Sequence, residues 1–153
     1  MSIQVTSSAF QNNQPIPKKY TGEGPDVSPP LNWTGLPAGA RELALICDDP
    51  DAPAGTWTHW VIWNLPASTH SLSQDVPRQE QLSDGARQGR NSFGKVGYNG
   101  PCPPAGQTHR YFFRVYALDS KLDVAPGADR SQVETAMQGH VLAHGEYMGT
   151  FHK

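Results

Sequence analysis

The sequence has only two cysteines, Cys47 and Cys102, which are too few to form a disulfide framework. Charged residues are also sparse, at 17%, and the 12 lysines and arginines nearly balance the 14 acids, giving a formal net charge of -2. This balance argues against a nucleic-acid-binding protein, which needs a basic surface. No apolar run approaches the roughly 20 residues that cross a bilayer. Residues 1–6 lack the basic and apolar segments of a secretory signal, so we expect a cytoplasmic protein without stable membrane insertion.

Glycine and proline, by contrast, are abundant, with 15 and 14 residues respectively. Short apolar or aromatic runs separated by such turn residues are typical of a β protein, and the length of 153 residues favours a single domain, residues 1–153. The expected strands are 3–10, 31–33, 43–46, 57–65, 109–118 and 146–151.

One helix is predicted late in the chain. Asp129 or Ser131 can cap it, apolar residues follow at spacings of three and four, and Gly145 ends it. His140 and His144 would then lie one turn apart, as in a metal-binding pair, but no third ligand is near in sequence. We interpret them instead as a helix face against the sheet or at an interface.

The segment 47–60 has the composition of a site. It joins two apolar runs and contains Asp49, Asp51 and His59, with prolines on both sides of Asp51. Proline fixes φ and removes a backbone donor, so this loop is stiff. A stiff loop that presents acids and a histidine from the end of a sheet is a common way to build a binding site.

A second segment repeats this pattern. The turn residues 97–106 lead into His109, Arg110 and Tyr111 at the start of the clearest strand. Alternation places His109 and Tyr111 on one face and Arg110 on the other. If this strand neighbours those of segment 47–60, an acid, two imidazoles and a phenol meet in one polar pocket suited to an anion such as phosphate.

These segments together resemble the phosphatidylethanolamine-binding protein family. The similarity lies in residues 49–53 (Asp-Pro-Asp-Ala-Pro), His59-Trp60, Gly100-Pro101 and His109-Arg110-Tyr111, and it is greatest to the bacterial, Raf kinase inhibitor-like branch. The resemblance implies a mainly β fold, an antiparallel β-sandwich with Greek-key connections and one or two short peripheral helices. It also implies a pocket for phosphate-like anions, phosphorylated small molecules or phospholipid head groups, with no cofactor and no settled catalytic role.

Eukaryotic members of the family have a longer C-terminal helix that partly covers the pocket. This sequence lacks that helix, which argues against kinase-type regulation.

Transferred to this sequence, the resemblance assigns each pocket position. The implied ligand-binding residues are Asp49, His59, His109 and Tyr111, together with Gly100 and Pro101 of a wall segment in which the missing Cβ of glycine lets backbone N–H groups approach the anion. The resemblance also implies that Asp51 braces the loop, that Pro53 follows a cis peptide bond and that Trp57 supports the site.

Other interpretations stay open. Asp49 and Asp51 can serve only as turn caps, the two histidines can be satisfied strand-end residues, and Tyr111 can belong to the core. The alternative function is a hydrolase that uses His59 as a base or a metal held by Asp49 and the histidines, although no Gly-x-Ser-x-Gly elbow is present. A kinase or other protein partner that presents a phosphorylated side chain is a third possibility, and a homodimer is also possible.

Overall fold

The protein consists of nine short or medium strands, one α-helix and one 3₁₀ turn in the part of the chain that the structure describes, residues 2–153 of a computed structural model. In chain order these are β1 (Gln4–Thr6), β2 (Gln14–Pro15), the 3₁₀ turn (Lys18–Tyr20), β3 (Leu31–Thr34), β4 (Glu42–Asp49), β5 (Trp57–Pro66), β6 (Ser71–Leu72), β7 (Arg87–Gln88), β8 (Thr108–Leu118), α1 (Arg130–Met137) and β9 (Val141–His152).

The strands form two sheets. The larger has the order β2-β9-β8-β4-β5-β7 and the smaller the order β1-β3-β6. Every pair is antiparallel except β2 with β9, and several neighbours, such as β4 and β8, are far apart in sequence. The predicted antiparallel sandwich with Greek-key connections is therefore confirmed, with one parallel edge pair added.

The main hydrophobic core lies between the two sheets. Leu45 of β4 and Phe113 of β8 pack in the same cluster as Trp33 of β3, and all three side chains are fully buried. Burial of each large apolar side chain contributes about 1.5–3 kcal/mol. Because this core holds the sheets together, the ends of β4, β5 and β8 are fixed relative to one another.

A second core covers the opposite face of the larger sheet. Ile46 and Trp63 pack there with Val133 and Met137 of α1. Every residue of β4 is consequently buried, which explains why residues 43–47 form a continuous apolar run and do not alternate.

Asp129 caps α1 with a reciprocal pair of hydrogen bonds. Its Oδ1 accepts from the backbone N–H of Gln132 at 3.0 Å, and the Gln132 Oε1 accepts from the Asp129 N–H at 3.1 Å. This capping box satisfies two helix-end donors. Of the two predicted caps, Asp129 is the one used.

The predicted C-terminal half of this helix is wrong. The helix ends at Met137, Gly139 takes a positive φ of 80°, and the chain continues as β9 from Val141. Residues 141–152 pair with β8 along its whole length, and these non-local hydrogen bonds override the local helical spacing. Gly145 is an interior residue of the strand and does not end a helix.

His140 and His144 therefore do not share a helical face. His140 precedes β9, where its Nδ1 lies 2.8 Å from Asp119 Oδ1, whereas His144 sits within the strand opposite Tyr116. Among residues 2–153 no group of three His, Cys, Asp or Glu side chains has the arrangement of a metal site. The same residues contain no helix that is long and apolar enough to cross a membrane.

Candidate functional site

The two segments singled out in the sequence meet at one end of the larger sheet. Asp49 is the last residue of β4, and His59 and His109 lie near the starts of its two antiparallel neighbours, β5 and β8. Antiparallel pairing brings the end of β4 next to both starts. Between them is a cavity of about 340 Å³ lined by Asp49, Ala52, Pro53, Ala54, Trp57, His59, Phe93, Cys102, Pro103, Pro104, His109 and Tyr111.

A β-bulge turns His59 toward this cavity. Cys47 pairs with Trp60 and Asp48 with Thr58, so His59 has no partner on β4 and is the extra residue. Without the bulge, alternation would place Trp57 and Trp60 on opposite faces of the sheet. The extra residue reverses the alternation once. Trp57 and His59 therefore line the cavity on the same face of the sheet on which Trp60 enters the main core.

Asp49 and His109 form a buried pair. The His109 Nδ1 donates to Asp49 Oδ2 at 2.7 Å, and both side chains are about 95% buried. The other carboxylate oxygen, Oδ1, accepts the backbone N–H of Asp51 at 2.8 Å. Both oxygens of the buried carboxylate are therefore held by donors from other residues. The pair thus gives the cavity a rigid polar wall.

The second nitrogen of His109 is also occupied. Its Nε2 lies 2.7 Å from Oε1 of Gln107, an exposed residue two positions earlier in the chain. Gln107 immediately precedes β8, and the i, i+2 spacing of extended backbone favours placing its side chain on the same face as His109. The side chain of Gln107 caps the outer edge of the imidazole.

Tyr111 has a buried hydroxyl without a partner. Its side chain is 1% exposed, it lines the cavity, and its Oη forms no hydrogen bond with the described residues. Burial raises the pKa of this phenol well above its usual value, and the nearby Asp49 carboxylate raises it further. Tyr111 is therefore neutral and has a hydrogen to donate. The alternative, a hydroxyl tied to the backbone, is not what the structure shows.

His59 is oriented by the carbonyl of Asn99. Its Nδ1 lies 2.6 Å from the Asn99 oxygen, and its Nε2 has no partner among the described residues. Burial lowers the pKa of His59, only partly offset by the Asn99 hydrogen bond and by nearby carboxylates. The ring packs edge-on against Tyr111 and Phe93, with centroid distances of 5.2 and 5.4 Å.

Asp51 ties the loop between β4 and β5 to β8. Its carboxylate accepts from Nε and Nη2 of Arg110 at 2.9 and 2.8 Å, and from the Arg110 backbone N–H at 2.9 Å. The Arg110 hydrogen bonds lower the pKa of Asp51. Alternation had placed Arg110 opposite His109, and this outward direction is what lets it reach Asp51.

The expected cis bond before Pro53 is wrong, since all peptide bonds of residues 2–153 are trans. The trans form is favoured by about 0.5–1 kcal/mol before proline. The loop closes in that form, with the Gly55 N–H donating to the Ala52 carbonyl at 3.1 Å. Pro53 still lines the cavity, as does Trp57.

Gly100 and Pro101 do not line the cavity. The Gly100 N–H donates to Asp26 Oδ1 at 2.7 Å, and the Pro101 carbonyl accepts from the Gly22 N–H at 2.9 Å. A Cβ at Gly100 would lie 2.2 Å from the Tyr20 carbonyl oxygen. The glycine thus permits close packing against residues 20–26, and its N–H group is not free to approach an anion.

Besides the lining residues Ala52, Ala54, Pro103 and Pro104, four further residues at the site were not predicted as site residues from the sequence. Phe93 and Cys102 line the cavity, Asn99 orients His59 and Gln107 covers His109. The spacing of Gln107 and His109 was a usable signal. Phe93 and Asn99 had none, because both lie in irregular loops whose positions only the fold determines.

Comparison with known proteins agrees with this architecture. The family model for phosphatidylethanolamine-binding proteins matches residues 6–152. A UPF0098 protein of Methanothermobacter thermautotrophicus is 50% identical over 151 residues, which is 99% of each chain.

Two solved structures are also similar over nearly the whole chain. The phosphatidylethanolamine-binding protein homologue CT736 of Chlamydia trachomatis has a TM-score of 0.90 at 41% identity, covering 99% of this chain and 98% of its own. YbcL of E. coli, described as a new member of the mammalian PEBP family, has a TM-score of 0.92 at 34% identity, covering 100% of this chain and 99% of its own. The chain belongs to the phosphatidylethanolamine-binding protein family.

Proposed function

We propose that the protein binds a small oxyanion, a phosphate group or a phospholipid head group, in the cavity between β4, β5 and β8. The observation that carries this proposal is the Tyr111 hydroxyl, a buried donor in the cavity wall without a protein partner. An unpaired buried polar group costs about 1–3 kcal/mol, which a ligand oxygen would recover. Membership of the family supports a ligand-binding role.

Gln107 marks a second position for a ligand oxygen. The Gln107 Oε1 lies 2.7 Å from His109 Nε2, in the place that an oxyanion oxygen would take. The Gln107 side chain is exposed and free to move away. With Gln107 displaced, Tyr111 offers a donor to the anion, and His109 offers a second one at Nε2 when its ring carries a hydrogen on both nitrogens. Asp49 orients His109 by accepting its Nδ1 hydrogen. Its carboxylate has no hydrogen to donate to the anion.

The size and lining of the cavity favour a substituted anion. A volume of about 340 Å³ is at the lower end of small-molecule sites and exceeds the needs of a bare phosphate. Pro53, Trp57, Phe93 and Pro103 supply apolar surface around the polar wall. This combination suits a phosphate that carries a short organic group, such as a lipid head group.

Calorimetric titration tests the proposal. Phosphate, phosphoethanolamine and a phosphoserine peptide are titrated into the wild type, into His59→Ala and into His140→Ala, whose histidine lies away from the cavity. We expect the wild type and His140→Ala to bind alike and His59→Ala to bind at least 10-fold more weakly. Preference for the peptide would favour a protein-regulating role, whereas turnover of a phosphate ester by the wild type would favour the hydrolase. Absence of binding to all three ligands would refute the proposal.

A further inference from the structure

The tautomer of His59 determines what the cavity presents to a ligand. A carbonyl oxygen only accepts, so the 2.6 Å contact with Asn99 requires the hydrogen to be on Nδ1. In the neutral ring the cavity-facing Nε2 is then a lone-pair acceptor. Because His59 is buried and its pKa is lowered, the neutral ring is the form present at neutral pH.

An oxyanion without a hydrogen of its own fits this nitrogen poorly. Its negative oxygen would face the Nε2 lone pair, leaving two acceptors opposed and the nitrogen unsatisfied. The Asp49 carboxylate, only 3% exposed, adds negative charge to the same wall. Tyr111 can donate to an acceptor oxygen of the ligand, and so can His109 when its ring carries a hydrogen on both nitrogens, but neither forms a hydrogen bond with His59 among residues 2–153. The ligand must supply that donor itself.

We propose that the cavity selects anions that carry a hydrogen-bond donor for His59 Nε2, and that it discriminates against anions that only accept. This inference rests on the proposed oxyanion-binding function. The donor can be the P–OH of hydrogen phosphate or the ammonium group of an amine-bearing phosphodiester. Sulfate has the size and shape of phosphate but no hydrogen at neutral pH, so it is the anion to be excluded.

Protonation of His59 removes this selectivity. Nε2 then carries a hydrogen, becomes a donor and accommodates sulfate, so sulfate binding takes up one proton whereas hydrogen phosphate binding takes up none. The other titratable groups around His59 come from different elements. They are Asp49 and Asp48 on β4, His109 and Tyr111 on β8, and Asp26 and Cys102 in loops.

Titration of the full-length protein with phosphate and sulfate at matched ionic strength tests the selectivity. At pH 8 both are mainly dianions, so charge does not distinguish them. We expect phosphate to bind at least 10-fold more tightly than sulfate at pH 8, and sulfate affinity to rise at least 10-fold between pH 8 and pH 5. Titration in buffers of different ionisation enthalpy should show about one proton taken up per sulfate bound at pH 8.

A second ligand pair identifies the source of the donor. Glycerophosphoethanolamine and glycerophosphocholine share the phosphodiester, but only the first has N–H groups. Preference for the ethanolamine compound supports the ammonium group as donor, and preference for inorganic phosphate over both supports the P–OH. His59→Gln, which offers an N–H at every pH, should bind phosphate and sulfate alike.

Two results are decisive. Equal affinities for phosphate and sulfate at pH 8, together with equal affinities for the two phosphodiesters, would overturn the selectivity while leaving oxyanion binding intact. No binding of any anion would overturn the proposed function and this inference with it. Should His59→Gln fail to fold, the four wild-type titrations still decide between these outcomes.

Discussion

Asp51 holds both the guanidinium and the backbone N–H of Arg110, with all three contacts between 2.8 and 2.9 Å. This pair links the loop that carries Pro53 and Ala54, two residues of the cavity rim, to the start of β8. The Arg110 side chain is about half exposed, so solvent weakens the ion pair. The Asp51–Arg110 pair therefore contributes more to the position of the cavity rim than to the free energy of unfolding.

We expect Asp51→Ala to weaken phosphate binding several-fold while lowering the free energy of unfolding by only about 1 kcal/mol. Arg110→Ala keeps the hydrogen bond from the backbone N–H to Asp51, so its effect on binding should be smaller. Calorimetry and urea denaturation measure the two effects. Equal binding losses in both variants would show that the backbone contact has no role in positioning the loop.

Replacement of Tyr111 by Phe should separate binding from folding. The hydroxyl has no hydrogen-bond partner in the part of the chain that the structure describes, so its removal should leave the free energy of unfolding unchanged or raise it by up to about 1 kcal/mol. The same change removes a donor to the ligand, and we expect phosphate affinity to fall about 10-fold. A loss of stability with unchanged affinity would mean that the hydroxyl serves the fold.

Gln107→Ala should strengthen binding. In the wild type an incoming anion must displace the Gln107 amide from His109 Nε2, at a cost of about 0.5–1.5 kcal/mol for the lost hydrogen bond. Without that competitor we expect phosphate affinity to rise about 2- to 10-fold. Gln107→Glu is the matched comparison, because its carboxylate occupies the same place with a negative charge and should weaken binding. Weaker binding by the alanine variant would indicate that Gln107 contacts the ligand.

The pH dependence of stability should reveal the buried, neutral state of His59. Its pKa is lowered in the folded protein from an ordinary value of 6.5, so the unfolded chain binds the proton first as pH falls. Above pH 6.5 the ring is neutral in both the folded and the unfolded chain, so its titration does not change the free energy of unfolding. Below it, stability is lost at up to about 1.4 kcal/mol per pH unit until the folded pKa is reached.

Urea denaturation of the wild type and of His59→Gln between pH 8 and pH 5 measures this loss. The difference between the two curves isolates His59 from the other histidines. We expect the wild type to lose stability more steeply than the variant below pH 6.5. Parallel curves would show that His59 titrates equally in the folded and unfolded chains.

Local pattern sufficed for much of the fold and for part of the site. The apolar run of β4 and the aromatic strand β8 were recognisable because burial requires those side chains. Alternation along β8 correctly separated Arg110 from His109 and Tyr111. The grouping of Asp49, His59, His109 and Tyr111 followed from the family resemblance together with the strand order, and their ligand-binding role stays a prediction.

Long-range contacts decided what local pattern could not. Pairing of β9 with β8 converted the predicted second half of the helix into strand. The Asp26 carboxylate took the Gly100 N–H that was expected at the cavity. In each case the partner is set by hydrogen bonding between segments, which periodicity along the chain does not report.

The amino-acid sequence by itself determined the β class of this protein, the stiff loop of residues 47–60 and the residue types at the end of the sheet. Only the tertiary structure decided which atoms of those residues remain unpaired. The reason is that the cavity lies between three strands and two loops, so whether a polar atom there is hydrogen-bonded depends largely on neighbours distant in sequence. The hydroxyl of Tyr111 and Nε2 of His59 are cavity atoms that have no hydrogen-bond partner among residues 2–153.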